Sequence, residues 1–235
     1  MVTNVLAGAA PARNGGFDRR AAITRSLLGW GLVVGPFYFV VSLAQAFVRE
    51  GFDLSRHPLS ALANGTGGWV QTLNLAASGL MVIVAAIGFR RVLVTKAGRV
   101  TWAMMGFGLG MIVAAAFPMD PADGFPVGTP EGMPTSVTTS GIVHFAAAGL
   151  GFMSLAVSSL FTAAAMRRRR QPALSWFSLF AGIAIPVCFV GGIMFPGPGI
   201  IGVWLSVITQ FVWIAVMALH LYRVSPDPHC EPAVR

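Results

Sequence analysis

Asp53-Leu54-Ser55-Arg56-His57-Pro58-Leu59-Ser60 gathers an acid, a base, a titratable ring and two hydroxyls within eight residues. Such a set can do general acid–base work, and its guanidinium can hold a phosphate or stabilise an anion. Other residues with chemical potential lie far along the chain. Asp120 and Asp123 follow a long apolar run, His144 opens another, Gln71 and Asn74 stand three apart in a third, and Gln210 sits in the middle of a fourth. By residue type, the candidate catalytic set is Asp53, Arg56, His57, Asp120 and His144. The candidate ligand-binding set is Ser60, Gln71, Asn74, Asp123 and Gln210. His57, His144, Asp53 and Asp120 together would offer the nitrogen and oxygen donors of a divalent-metal site. The residue types alone leave the presence of a metal, and its identity, open.

These groups need a scaffold, and the composition names its class. The chain has 235 residues, 55% of them apolar and only 10% charged, with mean hydropathy +0.74. A soluble domain of this size needs more charge to cover its surface, so this is an integral membrane protein. The net charge of +8 would suit nucleic acid, but fourteen of the sixteen basic residues fall in four clusters alternating with pairs of apolar segments. That alternation is the positive-inside pattern and excludes a nucleic-acid reading. The single lysine, Lys96, lies outside every apolar run, which excludes a retinal-type Schiff base. Cys188 and Cys230 make no disulfide framework.

Six spans are expected, at about 26–48, 69–89, 100–117, 141–166, 173–195 and 200–222. Each is long enough to cross about 30 Å of hydrocarbon. The expected fold is therefore an all-α, polytopic bundle of six transmembrane helices with both termini cytoplasmic. Residues 1–25, small, polar and basic without a compact apolar core, are expected to be a flexible cytoplasmic tail, and residues 223–235 a short cytoplasmic C-terminal tail. Pro36 and Pro186 are expected to kink their spans. Pro58 suits the start and Asn64-Gly65 the end of a short interfacial helix. Gly106 and Gly110, with Gly108 between them, permit close helix approach. Residues 124–135 repeat a Gly-x-Pro-x pattern, which predicts a run of tight turns. Pro196-Gly197-Pro198-Gly199 predicts a hairpin between the last two spans.

This arrangement puts the chemically interesting residues on one side. Two loops hold His57, Asp53, Asp120 and Asp123, while Gln71, Asn74 and His144 lie just inside the spans that follow them. Each also has a plain structural reading. Asp53 can pair with Arg56 or cap a turn, Asp120 before Pro121 can form a turn, and His57 before Pro58 can be a loop residue. Gln71, Asn74 and Gln210 can bind helix to helix. His144 is harder to dismiss, because a polar ring within a span faces the bundle interior and needs a partner. No His-Glu-x-x-His helix, Cys-x-x-Cys pair, phosphate loop or dinucleotide turn is present.

The stretches just quoted, with Gly68-Trp69-Val70-Gln71, Phe117-Pro118-Met119-Asp120-Pro121 and Gly124-Phe125-Pro126, resemble a prokaryotic membrane family, domain of unknown function 998. The resemblance runs from residue 26 to 222. It implies six helices and a shared polar outer site, and it supplies no activity. Three functions compete. The first is a membrane-embedded enzyme acting on an amphiphile such as a lipid, an isoprenoid or a hydrophobic metabolite. The second is a non-catalytic assembly or lipid-sensing subunit with a partner or a second copy. The third is a small solute transporter.

Overall fold

The computed structural model describes residues 17–93, 96–134, 136–195 and 199–228. Among them six helices form: α1 (Arg19–Val48), α2 (Trp69–Val92), α3 (Ala97–Ala116), α4 (Thr139–Arg168), α5 (Pro172–Met194) and α6 (Ile200–Val224). All six are long and apolar enough to cross a bilayer, and no strand is present among the described residues. This is a multi-pass, all-α membrane protein.

Local chemistry sets the helix ends. α1 starts at Arg19, before the apolar run, because the Asp18 carboxylate accepts from the N–H groups of Arg20 and Ala21 (2.8 and 3.1 Å). It then runs unbroken through Pro36. Thr138 caps α4 by accepting from the Gly141 N–H (3.1 Å), and Pro172 opens α5, where its missing N–H costs nothing. The short helix expected after Pro58 is a single 3₁₀ segment, Leu59–Ala63, flanked by Pro58 and Asn64. In the Gly-x-Pro-x stretch, Gly124, Gly128 and Gly132 all take positive φ (84°, 96° and 88°), so each repeat is a turn only glycine makes freely. The hairpin expected at 196–199 lies outside the described residues but for Gly199, as do residues 1–16 of the first tail and 229–235 of the second.

Each helix packs antiparallel against its chain neighbours, and α6 returns to α1, closing a six-membered ring. Leu28, Val82, Phe89, Leu155, Ile185 and Trp213 fill the centre and are fully buried. Large apolar side chains such as Val40, Leu80, Leu150 and Val187 point outward, as lipid contact requires. α3 divides its glycines between two partners. Gly108 meets Gly79 of α2, and a Cβ on it would lie 2.5 Å from the Gly79 carbonyl oxygen. Gly110 meets Ala147 and Gly151 of α4.

The two ends of the ring differ. One, the arginine face, carries the α2–α3 and α4–α5 turns and both described chain ends. There Arg169 donates to the Val92 carbonyl (2.7 Å), and Arg25 pairs with Asp227 (3.0 Å). The C-terminal segment through residue 228 is therefore docked on α1 rather than loose. The other, the loop face, carries residues 49–68 and 117–138.

Candidate functional site

The two long loops of the loop face are locked together, and His57 is the pin. Burial is nearly complete at 3% exposure. The Asp53 backbone N–H donates to His57 Nδ1 (2.9 Å), so the neutral ring carries its proton on Nε2 and donates it to the Asp123 carbonyl (3.0 Å). Phe52 and Phe125 flank the ring at 5.3 and 5.5 Å. Asp53 itself closes a turn: its Oδ1 accepts from the Ser55 N–H (2.8 Å) and hydroxyl (2.7 Å). Those two bonds, helped by the nearby Arg56 guanidinium, hold its carboxyl below the usual aspartate range. Arg56 donates to Glu131 and lies 4.0 Å from an Asp123 carboxylate oxygen, and the Glu131 contact keeps the guanidinium firmly charged. Arg49 leaves α1 to donate to the Leu62 and Asn64 carbonyls, with its guanidinium over the Phe125 ring. Trp204 Nε1 ties α6 to the same lid through the Leu54 carbonyl (3.0 Å).

Asp120 and His144 join α3 to α4. Asp120 accepts from the Thr138 hydroxyl (2.6 Å) and N–H (3.0 Å), setting a carboxylate at the positive end of α4. His144 Nδ1 faces two carbonyls at the end of α3, Ala114 (3.1 Å) and Phe117 (2.9 Å). Carbonyls only accept, so Nδ1 carries the proton and satisfies helix-end groups that would otherwise lack donors. Gln71 and Asn74 lie elsewhere, in a buried network between α1 and α2. Gln71 Oε1 accepts from Ser42 (3.1 Å) and Gln45 (2.8 Å), while Asn74 Nδ2 donates to the Tyr38 carbonyl (3.1 Å) and to Ser42 (3.0 Å).

Beneath the lid, inside the ring, lies a cavity of about 120 Å³. The 3₁₀ segment roofs it with Pro58, Leu59 and Ser60. Its walls are almost wholly apolar, with Phe107 and Met111 from α3, Phe152 from α4, Phe189 from α5 and Phe211 from α6. Phe152 and Phe189 meet with ring centroids 4.5 Å apart. The most exposed lining residues are Phe145 of α4 (44%) and Ile193 of α5 (52%), on neighbouring helices. Three candidates from the sequence line this cavity: His144, Gln210 and Ser60. Gln210 Nε2 donates to Ser206 Oγ (3.2 Å), and Ser60 Oγ makes a weak bond to Met119 Sδ (3.6 Å).

A family model matches residues 32–220, and it is described as protein of unknown function (DUF998). The chain belongs to that family. No curated protein and no solved structure matches the chain. The family match runs from within α1 to within α6 and takes in both loops of the lid and the whole cavity lining, and its description carries no activity.

The candidate residues thus separate into groups. Asp53, Arg56, His57 and Asp123 form the lid lock. Asp120 caps α4, and it also borders a shallow depression on the loop face with residues 128–134. Gln71 and Asn74 bind α1 to α2. His144, Gln210 and Ser60 share the cavity. Among the described residues, no three His, Cys, Asp or Glu side chains are placed to hold a metal ion. The sequence reading missed Ser42 and Gln45, which repeat in α1 the three-residue spacing of Gln71 and Asn74 and were legible on that ground. It missed Arg49, Glu131 and Trp204, whose roles depend on how the loops fold back over the helix ends.

Proposed function

We propose that this protein binds an amphiphilic molecule taken laterally from the bilayer, with the polar end under the lid at His144, Gln210 and Ser60 and the chain leaving between Phe145 and Ile193. The observation that carries this reading is an almost wholly apolar cavity that His144, Gln210 and Ser60 all line, and whose most exposed lining residues, Phe145 and Ile193, belong to the neighbouring membrane helices α4 and α5. That is the usual composition of a small-molecule site. At about 120 Å³ it compares with cavities that take a benzene ring, so it suits a head group and a few carbons rather than a whole lipid. In this reading Asp53, Arg56, His57, Asp120 and Asp123 hold the roof in place and do not touch the ligand. Each of these residues already has a partner in the lid or at the start of α4, which favours binding or sensing over acid–base turnover at the lid.

We also propose that the loop face is extracytoplasmic in a prokaryotic plasma membrane, with both termini inside. Arg90, Arg91, Lys96, Arg99 and the run 167–170 all lie on the opposite face, as the positive-inside rule demands of a cytoplasmic side.

The test is Ala148→Trp, which fills the cavity from α4 while leaving the lid bonds alone. Native mass spectrometry of the purified protein is expected to find a bound amphiphile on the wild type and none on the variant. Equal adducts on a folded variant would reject the cavity as the binding site.

A further inference from the structure

The hydrogen-bond inventory of the cavity specifies the head group it accepts, an inference that rests on the amphiphile-binding reading above. His144 Nδ1 must carry a proton because both of its partners are carbonyl oxygens. No carboxylate lines the cavity to pair an imidazolium, so the ring is neutral and Nε2 presents a lone pair. The orientation of Gln210 is fixed as firmly. Ser206 Oγ gives its one proton to the Ile185 carbonyl (2.9 Å) and can only accept from Gln210, so Nε2 turns to Ser206 and Oε1 turns away from it.

Neither His144 Nε2 nor Gln210 Oε1 has a protein partner among the described residues. The buried side-chain atoms that are sealed off without a partner are Arg25 Nε, Gln45 Oε1 and Asn64 Nδ2. His144 Nε2 and Gln210 Oε1 are not among these, so both reach open space although their residues are 3% and 1% exposed. The open space that both residues line is the cavity.

The cavity therefore offers two unengaged acceptors and, on its lining, no Lys, Arg, Asp or Glu. An anionic head group would meet lone pairs with no cation to offset its desolvation. A cationic head group would find no carboxylate. An ether or ester oxygen would bring no proton. We propose that the cavity selects a neutral amphiphile whose polar end is a hydroxyl, which donates to His144 Nε2 or Gln210 Oε1 and accepts from the remaining Gln210 N–H. Long-chain alcohols, isoprenols and diacylglycerols share that chemistry.

The experiment uses the full chain in phosphatidylcholine nanodiscs with a diazirine-bearing hexadecanol. Photolabelling is mapped to the peptides of α4 and α5 and competed with unlabelled hexadecanol, hexadecyl methyl ether and hexadecyl sulfate. These three share a chain and differ in whether the head can donate and whether it is charged. Hexadecanol is expected to compete about tenfold better than either analogue, the ratio set by acceptors left unpaired in a buried site. Gln210→Leu is expected to shrink that preference while labelling persists. Equal competition by all three, or preference for the sulfate, overturns the head-group inference and leaves amphiphile binding standing. Absence of specific labelling in α4 and α5 overturns the binding reading and this inference with it.

Discussion

Two histidines illustrate how differently one residue type is used. His57 has both ring nitrogens engaged across two loops, whereas His144 has one nitrogen engaged and the other unengaged in a cavity it lines. His57→Ala is expected to destabilise the fold by about 1–3 kcal/mol, since it removes two part-buried hydrogen bonds, to the Asp53 N–H and the Asp123 carbonyl, and empties the space between Phe52 and Phe125. His57→Phe keeps the ring between Phe52 and Phe125 but strands the same two groups, so denaturation in mild detergent is expected to place it near the alanine variant. Recovery to wild-type stability would assign the role of His57 to packing alone. Asp53 makes a pH prediction with a definite sign. Its folded value is depressed, so the turn it closes with Ser55 is favoured above the ordinary aspartate value near 4 and is lost as pH falls through the lower folded value. A carboxyl-carbon NMR titration is expected to find Asp53 protonating below a model peptide, and Asp53→Asn removes that step. At this scale the sequence identified which residues were unusual. It did not say which would have free atoms, because that depends on partners distant in the chain, such as Asp123 for His57 and Phe117 for His144.

The spans were legible at the scale of elements because bilayer thickness forces long apolar runs; the helix starts were not, because the capping residues Asp18 and Thr138 stand ahead of the apolar runs expected from 26 and 141. The level of each polar residue along its helix was also readable, which is why Gln71, Asn74 and His144 were placed near the loop face. The rotation of each helix about its axis was not. With apolar residues on nearly every side, a span gives little sign of which face meets a neighbour, so Gln71 and His144 share a side of the membrane and belong to different interfaces. The glycines of α3 test that geometry. Gly108→Val is expected to force α3 from α2, and Gly110→Val to force it from α4, each at about 1–3 kcal/mol. Gly110 also lines the cavity, so only its variant is expected to alter amphiphile binding at equal stability loss.

The whole molecule is a closed ring with an asymmetric pair of ends. The arginine face holds charge in the turns and at the described chain ends, while the loop face spends its charge on a lid that roofs an apolar chamber. Fold class, span number and polar face followed from composition and periodicity. The chamber did not, because it exists only where Phe107, Phe152, Phe189 and Phe211, from four helices, fail to fill the centre of the ring. The orientation has its own test. In a background with Cys188→Ala and Cys230→Ala, Val127→Cys is expected to react with an impermeant maleimide on intact spheroplasts, and Arg168→Cys only after lysis.

The central claim, that the chamber receives an amphiphile from the bilayer, is tested most directly by an experimental structure of the protein in a lipid nanodisc. Elongated density entering between Phe145 and Ile193, with its end within hydrogen-bond distance of His144 Nε2 or Gln210 Oε1, is the predicted result. A chamber closed by inward side chains, or empty beneath a well-ordered lid, would contradict it.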